Sequence, residues 1–350
     1  MHRLPIGRQR ETFALRCPTA PKMVLVDPEL RVVGTVDNKL GTALLAEQLA
    51  SAQTAHPRWR AARALGRRNE PRAVAALGRA LTSDAFWGVR VECAHALGEQ
   101  RTEDALRHLL GATGDADARV RRAVASALGR FRGSARAADA LLAWIERGDR
   151  SYLVESELRR SLGRTRDPRA LDVLTRAFAS DAQSWGEVVR AGAIDGLAAL
   201  RDARAIPTLL EALDERYFAT VRRAGAAALG RSRELTTDEP LLVRVRESLE
   251  GVLDAFDPGV RTACARSLAS LRDPAGGSAL ARLADRDLDG RVRRVAREAL
   301  RDLRDRSARG REVGVLRDEL DRVRNDVREL RDKLAQLEAK KGEPSGSAPS

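Results

Sequence analysis

The chain is poor in aromatic residues and in cysteine. Phe, Trp and Tyr together make up 3% of its 350 residues, and the apolar content is mostly Ala, Leu and Val. A core of this kind suits closely packed helices and argues against a broad β-sandwich interior. The three cysteines, Cys17, Cys93 and Cys264, form no C-x-x-C pair, which argues against a disulfide framework. We therefore expect a reducing, cytoplasmic setting.

Signatures of catalysis and of metal binding are also missing. The four histidines, His2, His56, His95 and His108, form no H-E-x-x-H motif, and no His-Glu dipeptide of HEAT-type iron hydroxylases occurs. Only His95 and His108 lie on helices that could bring them together, which is weak support for a metal site. Walker A and G-x-S-x-G sequences are absent as well. The sequence predicts no catalytic residue, no metal ligand and no cofactor.

The charge is high but spread out. Charged residues are 32% of the chain and the formal net charge is +13. A basic surface can attract nucleic acid, acidic proteins or anionic lipid. Here Asp and Glu are interspersed with Arg, and no nucleic-acid module is recognisable. No run of 18 apolar residues and no signal-peptide core occurs, so the sequence predicts neither a nucleic-acid partner nor a membrane span.

A repeated unit dominates the chain. It recurs eight times at intervals of 31 to 39 residues, with an apolar position followed by Arg and, eight residues on, a leucine. The apolar positions are Pro57, Val89, Val120, Val154, Val189, Val221, Val260 and Val292, and the leucines are Leu65, Leu97, Leu128, Leu162, Leu197, Leu229, Leu268 and Leu300. Self-similarity at this period indicates stacked repeats. Two antiparallel helices per unit predict an all-α, HEAT-like α-solenoid of about eight helix pairs.

Local signals support the helix boundaries. Thr102 and Ser134 are expected to cap the second helix of their units. Glycine follows many of the repeat leucines, at Gly66, Gly98, Gly129, Gly163 and Gly230. These glycines are expected to end the first helices in a left-handed conformation.

The chain divides into five predicted parts. Three short strands, at 13–16, 22–26 and 32–36, make up a β-rich start. The parts are a β-strand segment at 1–38, a capping helix at 39–55, the repeat array at 56–303, a coiled coil at 304–341 and a disordered tail at 342–350.

The predicted coiled coil has apolar residues at alternating steps of three and four. They are Val313, Leu316, Leu320, Val323, Val327, Leu330, Leu334 and Leu337. The flanking g and e positions carry opposite charges in all four pairs, as in a parallel coiled coil between chains. The pattern predicts a homodimer; a single solvated helix folded back on the last repeat is the alternative.

The arginine of the repeat has two interpretations. It stands at Arg58, Arg90, Arg121, Arg190, Arg222, Arg261 and Arg293, with Glu155 in its place in the fourth unit. Acidic residues of the preceding turns, such as Asp117, Asp257 and Asp289, could pair with it in a structural ladder between units. The same row could instead grip an acidic partner. Because the position repeats with the unit, we favour the ladder.

Aromatic residues just before the Val-Arg helices are candidates for specificity. Phe86, Trp87, Tyr152, Trp185 and Tyr217 occupy such positions. Equivalent turns of a solenoid lie along one edge, so these side chains could form an interaction surface for a protein or peptide. They could equally plug the gaps between units.

Several segments resemble a known family. They are SDAFWGVRVECAHALGEQRTEDAL from Ser83, GDRSYLVESELRRSLGRTRDPRAL from Gly148, SWGEVVRAGAIDGLAALRDARAIPTLL from Ser184, DLDGRVRRVAREAL from Asp287 and RETFALRCPTAPKMVLVDPELRVV from Arg10. The first four are similar to the C-terminal helical repeats of bacterial aminopeptidase N-type zinc metallopeptidases, and the last to the end of the small β-sandwich that precedes them. That family's H-E-x-x-H and G-x-M-E-N motifs are absent, so the resemblance implies a non-catalytic domain.

Three functions follow from these patterns. The first is a non-catalytic scaffold or protein-interaction module. The second is the non-catalytic part of a zinc aminopeptidase whose catalytic domain is encoded elsewhere. The third is a repeat-type lyase or a nucleic-acid-binding solenoid.

Overall fold

The structure is a computed structural model that describes residues 4, 7–34, 36, 39–180, 185–305, 319–320, 322–324, 327–328 and 331. Its regular elements are helices, and none of the described residues is in a strand. No described helix is long and apolar enough to span a membrane. The all-α prediction for the repeat array is therefore confirmed.

The helices divide into two compact units, Met1–Leu209 and Leu210–Ser350, with the boundary inside α11. The first unit contains α1 (Thr42–Ser51), α2 (Ala55–Leu65), α3 (Pro71–Ser83), α4 (Trp87–Gln100), α5 (Glu103–Leu110), α6 (Ala118–Leu128), α7 (Ala135–Arg147), α8 (Tyr152–Thr165), α9 (Ala170–Ala179) and α10 (Val188–Leu200). Then follow α11 (Ile206–Glu211), α12 (Ala219–Leu229), α13 (Glu239–Gly251), α14 (Pro258–Leu271), α15 (Gly277–Arg286) and α16 at 290–305.

The repeat register is visible in the core of each unit. All eight apolar positions of the Val-Arg helices are buried, and so are seven of the eight repeat leucines, with Leu300 half-buried. Small alanines between them let successive Val-Arg helices approach closely. Three aromatic side chains are buried in the described part of the chain. Trp144 and Phe178 belong to the second helices α7 and α9, and Phe131 lies between α6 and α7.

Side-chain caps fix several helix starts. The hydroxyl of Thr102 accepts a hydrogen bond from the Ala105 N–H at 3.2 Å, and Ser134 caps α7 through the Ala137 N–H at 3.3 Å. Both predicted caps are confirmed. Each satisfies one of the N–H groups that the first turn of a helix leaves without a partner.

The repeat glycines do not have the predicted left-handed conformation. Gly66, Gly129 and Gly230 have φ between −62° and −57°, and among the described residues only two other glycines have positive φ. Their role is close packing instead. A Cβ on Gly66 would lie 2.8 Å from the Ala96 Cβ of the next unit, and one on Gly230 would lie 2.8 Å from the Ser267 hydroxyl.

Arginine takes the left-handed position in their place. Arg101, Arg166, Arg201 and Arg272 end α4, α8, α10 and α14 with φ between 50° and 60°. Each lies four residues beyond the repeat leucine, because these four helices run further than α2, α6 and α12. The conformation is unfavourable for a residue with a Cβ, so these helix ends carry backbone strain.

The three predicted strands of the N-terminal segment are not formed. Residues 13–16, 22–26 and the described part of 32–36 have no regular structure. The segment is instead tied to the first helices by side chains. Arg60 donates to the Val26 carbonyl at 2.9 Å, and Arg68 donates to the Leu40 carbonyl at 3.0 Å. Isolated strands without a partner sheet would leave their backbone groups unpaired.

The predicted coiled coil lies largely outside the described residues. Those of its residues that are described, 319–320, 322–324, 327–328 and 331, are helical. Val313, Leu316, Leu330, Leu334, Leu337 and the predicted disordered tail lie outside the described part of the chain.

Candidate interaction edge

A ladder of arginine and aspartate side chains links successive turns of the first unit. Arg90 of α4 donates from Nε and Nη2 to both carboxylate oxygens of Asp115, at 2.8 and 3.0 Å. Arg58 holds Asp84 and Arg121 holds Asp149 in the same bidentate way. Hydrogen bonding to Asp115 raises the pKa of Arg90, against the opposing effect of burial.

The same arginines also fix the backbone of the preceding turn. Nη1 of Arg90 donates to the Asp84 carbonyl at 2.8 Å, and Nη1 of Arg121 donates to the Asp115 carbonyl at 2.8 Å. Each of the three arginines Arg58, Arg90 and Arg121 therefore connects the turn before its own helix to the turn before the next Val-Arg helix. In the second unit, Arg261 makes both sets of contacts, to Asp287 at 2.7 Å and to the Ala255 carbonyl at 2.7 Å.

The aspartates that pair with the ladder are not those that the sequence suggested. Asp117, Asp257 and Asp289 cap the Val-Arg helices by accepting backbone N–H bonds. Asp117 also binds the Arg119 side chain, and these hydrogen bonds lower its pKa to about 2. The carboxylate two residues earlier, such as Asp115 before Asp117, faces the ladder arginine. Spacing alone could not separate two acids on one turn.

Three predicted rungs have other contacts. Arg190 donates to the carbonyls of Phe178 and Ser180, each at 2.8 Å, and also binds Glu187. Arg222 donates to the Leu213 carbonyl at 2.9 Å. Arg293 donates to the carbonyls of residues 287 and 288. These rungs keep the backbone half of the pattern, in which the guanidinium holds the turn before its own helix.

Glu155 reverses the polarity of its rung. Its carboxylate accepts the backbone N–H of Asp149 and binds the side chain of Arg159. Where Arg90 and Arg121 donate to backbone carbonyls of the preceding turn, Glu155 accepts from that turn. The backbone is held in both cases, so this position keeps its structural contact while its charge is inverted.

Buried charges mark the helices next to this reversal. Glu157 of α8 accepts from Arg160 at 2.7 Å and from Arg164 at 2.9 Å, and Arg160 binds Asp195 of α10 at 2.6 Å. Burial favours the protonated form of Glu157, but the two guanidinium groups outweigh it and lower its pKa. Ser161 donates to the same carboxylate at 3.2 Å. The cluster is neutralised internally.

The turns held by the ladder carry exposed apolar side chains. Phe86 and Tyr152 are exposed, and Trp185 keeps 86% of its surface accessible. Trp87 is half-buried: the Arg119 guanidinium stacks on its ring at 3.6 Å, and the Phe86 ring lies 5.4 Å away. These side chains therefore do not all serve as plugs between helices. A surface tryptophan this exposed is unusual for a soluble domain.

Tyr217 is better described as a structural residue. It is half-buried and its hydroxyl donates to Glu211 at 3.0 Å. Its neighbour Phe218, from the same aromatic segment, is exposed. The sequence interpretation missed Phe256 and Leu288 of the second unit, which are 100% and 97% exposed. The sequence signal that could have identified Phe256 and Leu288 is their position in the repeat. Phe256 and Leu288 stand four residues before the repeat valine, as Trp185 does, and a ladder arginine holds the backbone carbonyl of each.

Among the described residues, no group of three or more His, Cys, Asp or Glu could hold a metal ion. Cys93 and Cys264 are buried between helices, and burial raises the pKa of both thiols, that of Cys264 to about 12. A thiol with so high a pKa is a poor nucleophile. The His108 ring packs against Gly78, and His95 lies on the exposed face of α4.

The repeat class is decided by comparison with known families. The model of HEAT repeats matches residues 42–129 and 110–187, and the model of the PBS lyase HEAT-like repeat matches residues 189–215. Residues 42–187 and 189–215 therefore consist of HEAT-like repeats. No curated protein sequence matches the chain. The matches begin at residue 42, so they include part of the segment predicted as a capping helix at 39–55 as well as the first part of the array predicted at 56–303.

Several solved structures are similar to part of this chain. Yeast importin-β (Kap95p) is 12% identical with a TM-score of 0.51, covering 75% of this chain and 40% of that one. Human deoxyhypusine hydroxylase is 21% identical, covering 75% and 96%, with a TM-score of 0.34. CpcE and CpcF of the phycocyanin lyase from Nostoc are 23% identical, covering 77% and 90%, with a TM-score of 0.39. At these identities the likeness to importin-β concerns the fold.

Proposed function

We propose that this HEAT-repeat protein is a non-catalytic scaffold that binds a protein partner through the turns before its Val-Arg helices. The supporting observation is the set of exposed apolar side chains on these turns, above all Trp185 in the first unit and Phe256 and Leu288 in the second. Large aromatic residues dominate binding energy in protein interfaces. Leaving them in water has no benefit to the isolated fold.

The ladder makes this edge suitable for binding. Because each arginine holds the carbonyl groups of its turn, the backbone that presents the aromatic residues is fixed before a partner arrives. Preorganisation lowers the entropy that binding would otherwise cost. The net charge of +13 adds a general preference for an acidic partner.

A capture experiment with paired variants tests the proposal. Tagged full-length protein is incubated with extract of its own source, and bound proteins are quantified by mass spectrometry. One variant combines Phe86→Ala, Tyr152→Ala and Trp185→Ala, and a control carries Val243→Ser on an exposed face of α13. We expect one or more partners to be retained by the wild type and the control but lost by the triple variant.

The partner so identified is then purified and its affinity measured directly. Removal of three exposed aromatic side chains should weaken the Kd at least about tenfold, because a hot-spot residue contributes about 1–2 kcal/mol or more. Unchanged melting temperatures would show that the variants are folded. Equal affinity of wild type and triple variant would contradict binding through this edge.

The homodimer is a second part of the proposal. Leu320, Val323 and Val327 are apolar, exposed residues of the helical tail, at the spacing of a coiled-coil seam. Such residues gain stability when a second copy covers them. Combined Leu320→Asp and Val327→Asp substitutions should convert dimers to monomers in sedimentation analysis while leaving the helicity of the array unchanged. Dimers that persist would contradict the seam.

The two other functions have less support. The aminopeptidase resemblance depended on a β-sandwich remnant, and the described N-terminal residues form no strand. No comparison supports that origin. The lyase alternative has the match of residues 189–215 to the PBS lyase HEAT-like repeat in its favour, which concerns the repeat class rather than a site. A purified protein without lyase activity on phycocyanin would remove this alternative.

A further inference from the structure

A cavity of about 560 Å³ lies at the start of the array, between the N-terminal segment and α2. Val24, Val26 and Leu40 are among the residues that form its apolar side, and Trp59 and Arg63 of α2 lie among those on the other side. The volume falls within the range of about 300–1,000 Å³ typical of ligand sites. None of the functions proposed above uses this cavity.

Specific hydrogen bonds hold the N-terminal wall in place. Besides the bonds of Arg60 and Arg68 to Val26 and Leu40, the Thr54 hydroxyl donates to the Pro28 carbonyl at 3.3 Å. The Asp27 carboxylate closes the loop by accepting the N–H groups of the residues at 31 and 32, at 2.9 and 3.0 Å. These hydrogen bonds therefore hold the N-terminal segment in place as one wall of the cavity.

The cavity is lined by cations without carboxylate partners. Lys39, Arg60, Arg63 and Arg67 line it, and none of them forms an ion pair with a described residue. Lys39, Arg63 and Arg67 are exposed and Arg60 is half-buried, so these cations form the open rim of the cavity. Asp27 is near enough to act on Arg60 electrostatically, but its oxygens are occupied by backbone N–H groups. The site therefore has an unbalanced positive charge that favours an anion.

Two buried polar atoms of the lining lack a hydrogen-bond partner. Gln48 is 2% exposed, and its Nε2 donates to the Pro57 carbonyl at 2.8 Å, which fixes the orientation of the amide. Its Oε1 then has no donor within the described chain, and Nδ1 of His56 is likewise without a partner. An acceptor left unpaired in a buried place costs free energy, and a ligand N–H group would recover it.

The lining of the cavity also contains aromatic side chains. The His56 ring stacks on Trp59 at 6.1 Å, and the Arg63 guanidinium lies 5.4 Å from the Trp59 ring. Burial and the nearby Arg60 lower the pKa of His56, so its imidazole is neutral at pH 7. Apolar walls, a cationic rim and a buried acceptor occur together in one cavity.

We infer that this cavity binds the free C-terminus of a peptide that ends in apolar residues. The terminal carboxylate would pair with Arg63 and Arg67, the last amide N–H would donate to Gln48 Oε1, and the apolar side chains would pack against Trp59 and the valines. A carboxylate, an N–H donor and an apolar side chain are linked in this order at every such terminus. This site is independent of the interaction edge.

Fluorescence anisotropy with defined peptides tests the inference. The probes are fluorescein-labelled hexapeptides whose last two residues are all combinations of Ala, Val, Leu and Phe, each made with a free carboxylate and with a C-terminal amide. Full-length protein should bind at least one free acid, and its amide at least tenfold more weakly. Arg63→Gln combined with Arg67→Gln should reduce binding of the acid tenfold or more, whereas the remote control Arg79→Gln should not.

Three results would overturn the inference. The first is no binding by any acid probe at 1 mM protein, a concentration ~1,000 times above a Kd of about 1 μM. The second is equal affinity for acid and amide. The third is binding of N-acetyl-leucine by a protein that binds none of the hexapeptides, which would assign the cavity to small carboxylic acids. Failure of the edge variants described above would leave all three readouts unchanged.

Discussion

The regular ladder of α4 and α6 and the irregular pair α8–α10 join their repeats by different means. Along the ladder, arginines span the turns, and a glycine of each helix faces a small side chain of the next, as Gly98 faces Ala127. Between α8 and α10 the ladder charge is inverted at Glu155, and Gly163 faces the backbone of Gly196 directly. The difference indicates that a close approach of two helix backbones can join neighbouring repeats where the arginine–aspartate pair of the ladder is missing.

The largest effect is expected from a substitution at the closest approach. In Gly163→Ala, the new Cβ would overlap the carbonyl oxygen of Gly196, and a backbone atom cannot move aside as a side chain can. We expect a loss of about 3 kcal/mol in the free energy of unfolding, the upper end of overpacking effects. Urea denaturation measures it.

Matched glycines sharpen this test. Gly98→Ala, whose Cβ would meet Ala127 Cβ at 2.9 Å, should cost less, because the overlap is much smaller than that of a Cβ at Gly163 with the Gly196 backbone. Gly251→Ala at the end of α13 meets nothing within 4 Å and should be neutral or slightly stabilising. Equal losses for Gly163→Ala and Gly98→Ala would break the distinction between the two regions.

A second prediction concerns the buried charges of α8. Glu157→Gln should destabilise the protein by about 2 kcal/mol, less than the roughly 3–5 kcal/mol of a fully buried pair, because Arg160 and Arg164 are partly exposed. The pKa of Glu157 is lowered in the folded state, so its stabilisation is present above the ordinary value of 4.5 and is lost as the pH falls through the folded pKa.

Acid titration of stability therefore distinguishes wild type from variant. Denaturation midpoints measured at pH 7 and pH 3 should differ less in Glu157→Gln than in the wild type. An identical pH dependence in the two proteins would mean that Glu157 is not ionised in the cluster.

A third prediction tests the inverted rung. Glu155→Arg restores the repeat pattern in sequence but removes the acceptor for the Asp149 N–H and places a second guanidinium beside Arg159. We expect it to destabilise by about 1.5 kcal/mol. Arg90→Gln, which removes a bidentate rung, should cost a similar amount. If Glu155→Arg stabilised the protein, the pair α8–α10 and the ladder of α4 and α6 would join their repeats in the same way.

Much of the array could be predicted from the sequence. The period located all eight buried apolar positions, because burial at a helix interface leaves few choices of residue. The pairing of Asp115 rather than Asp117 with the ladder could not be predicted, since it depends on which side of the turn each carboxylate faces. The strand prediction for the N-terminal segment was wrong. Its alternating valines match the pattern of a strand, but a strand must pair within a sheet, and the described part of the chain contains none.

The glycines show most clearly where sequence reasoning falls short. A glycine after a leucine at a helix end resembles a left-handed cap, but Gly66 and its equivalents are selected by the neighbouring helix, which lies a full repeat away in sequence. The true left-handed residues are arginines such as Arg101, which no propensity scale would favour there. Tertiary packing decided both positions.

The smallest effect is expected from relieving this strain. Arg101→Gly and Arg272→Gly, at φ of 50° and 56° on exposed helix ends, should each stabilise by about 0.5–1 kcal/mol, because glycine adopts positive φ without a steric penalty. Arg79→Gly in the middle of α3, also exposed, is the matched control and should destabilise by about 1 kcal/mol. Melting temperatures of the three variants give the comparison. A loss of stability in Arg101→Gly would mean that its side chain contributes more than its backbone costs, and the long helices α4 and α14 would then end where they do because of arginine.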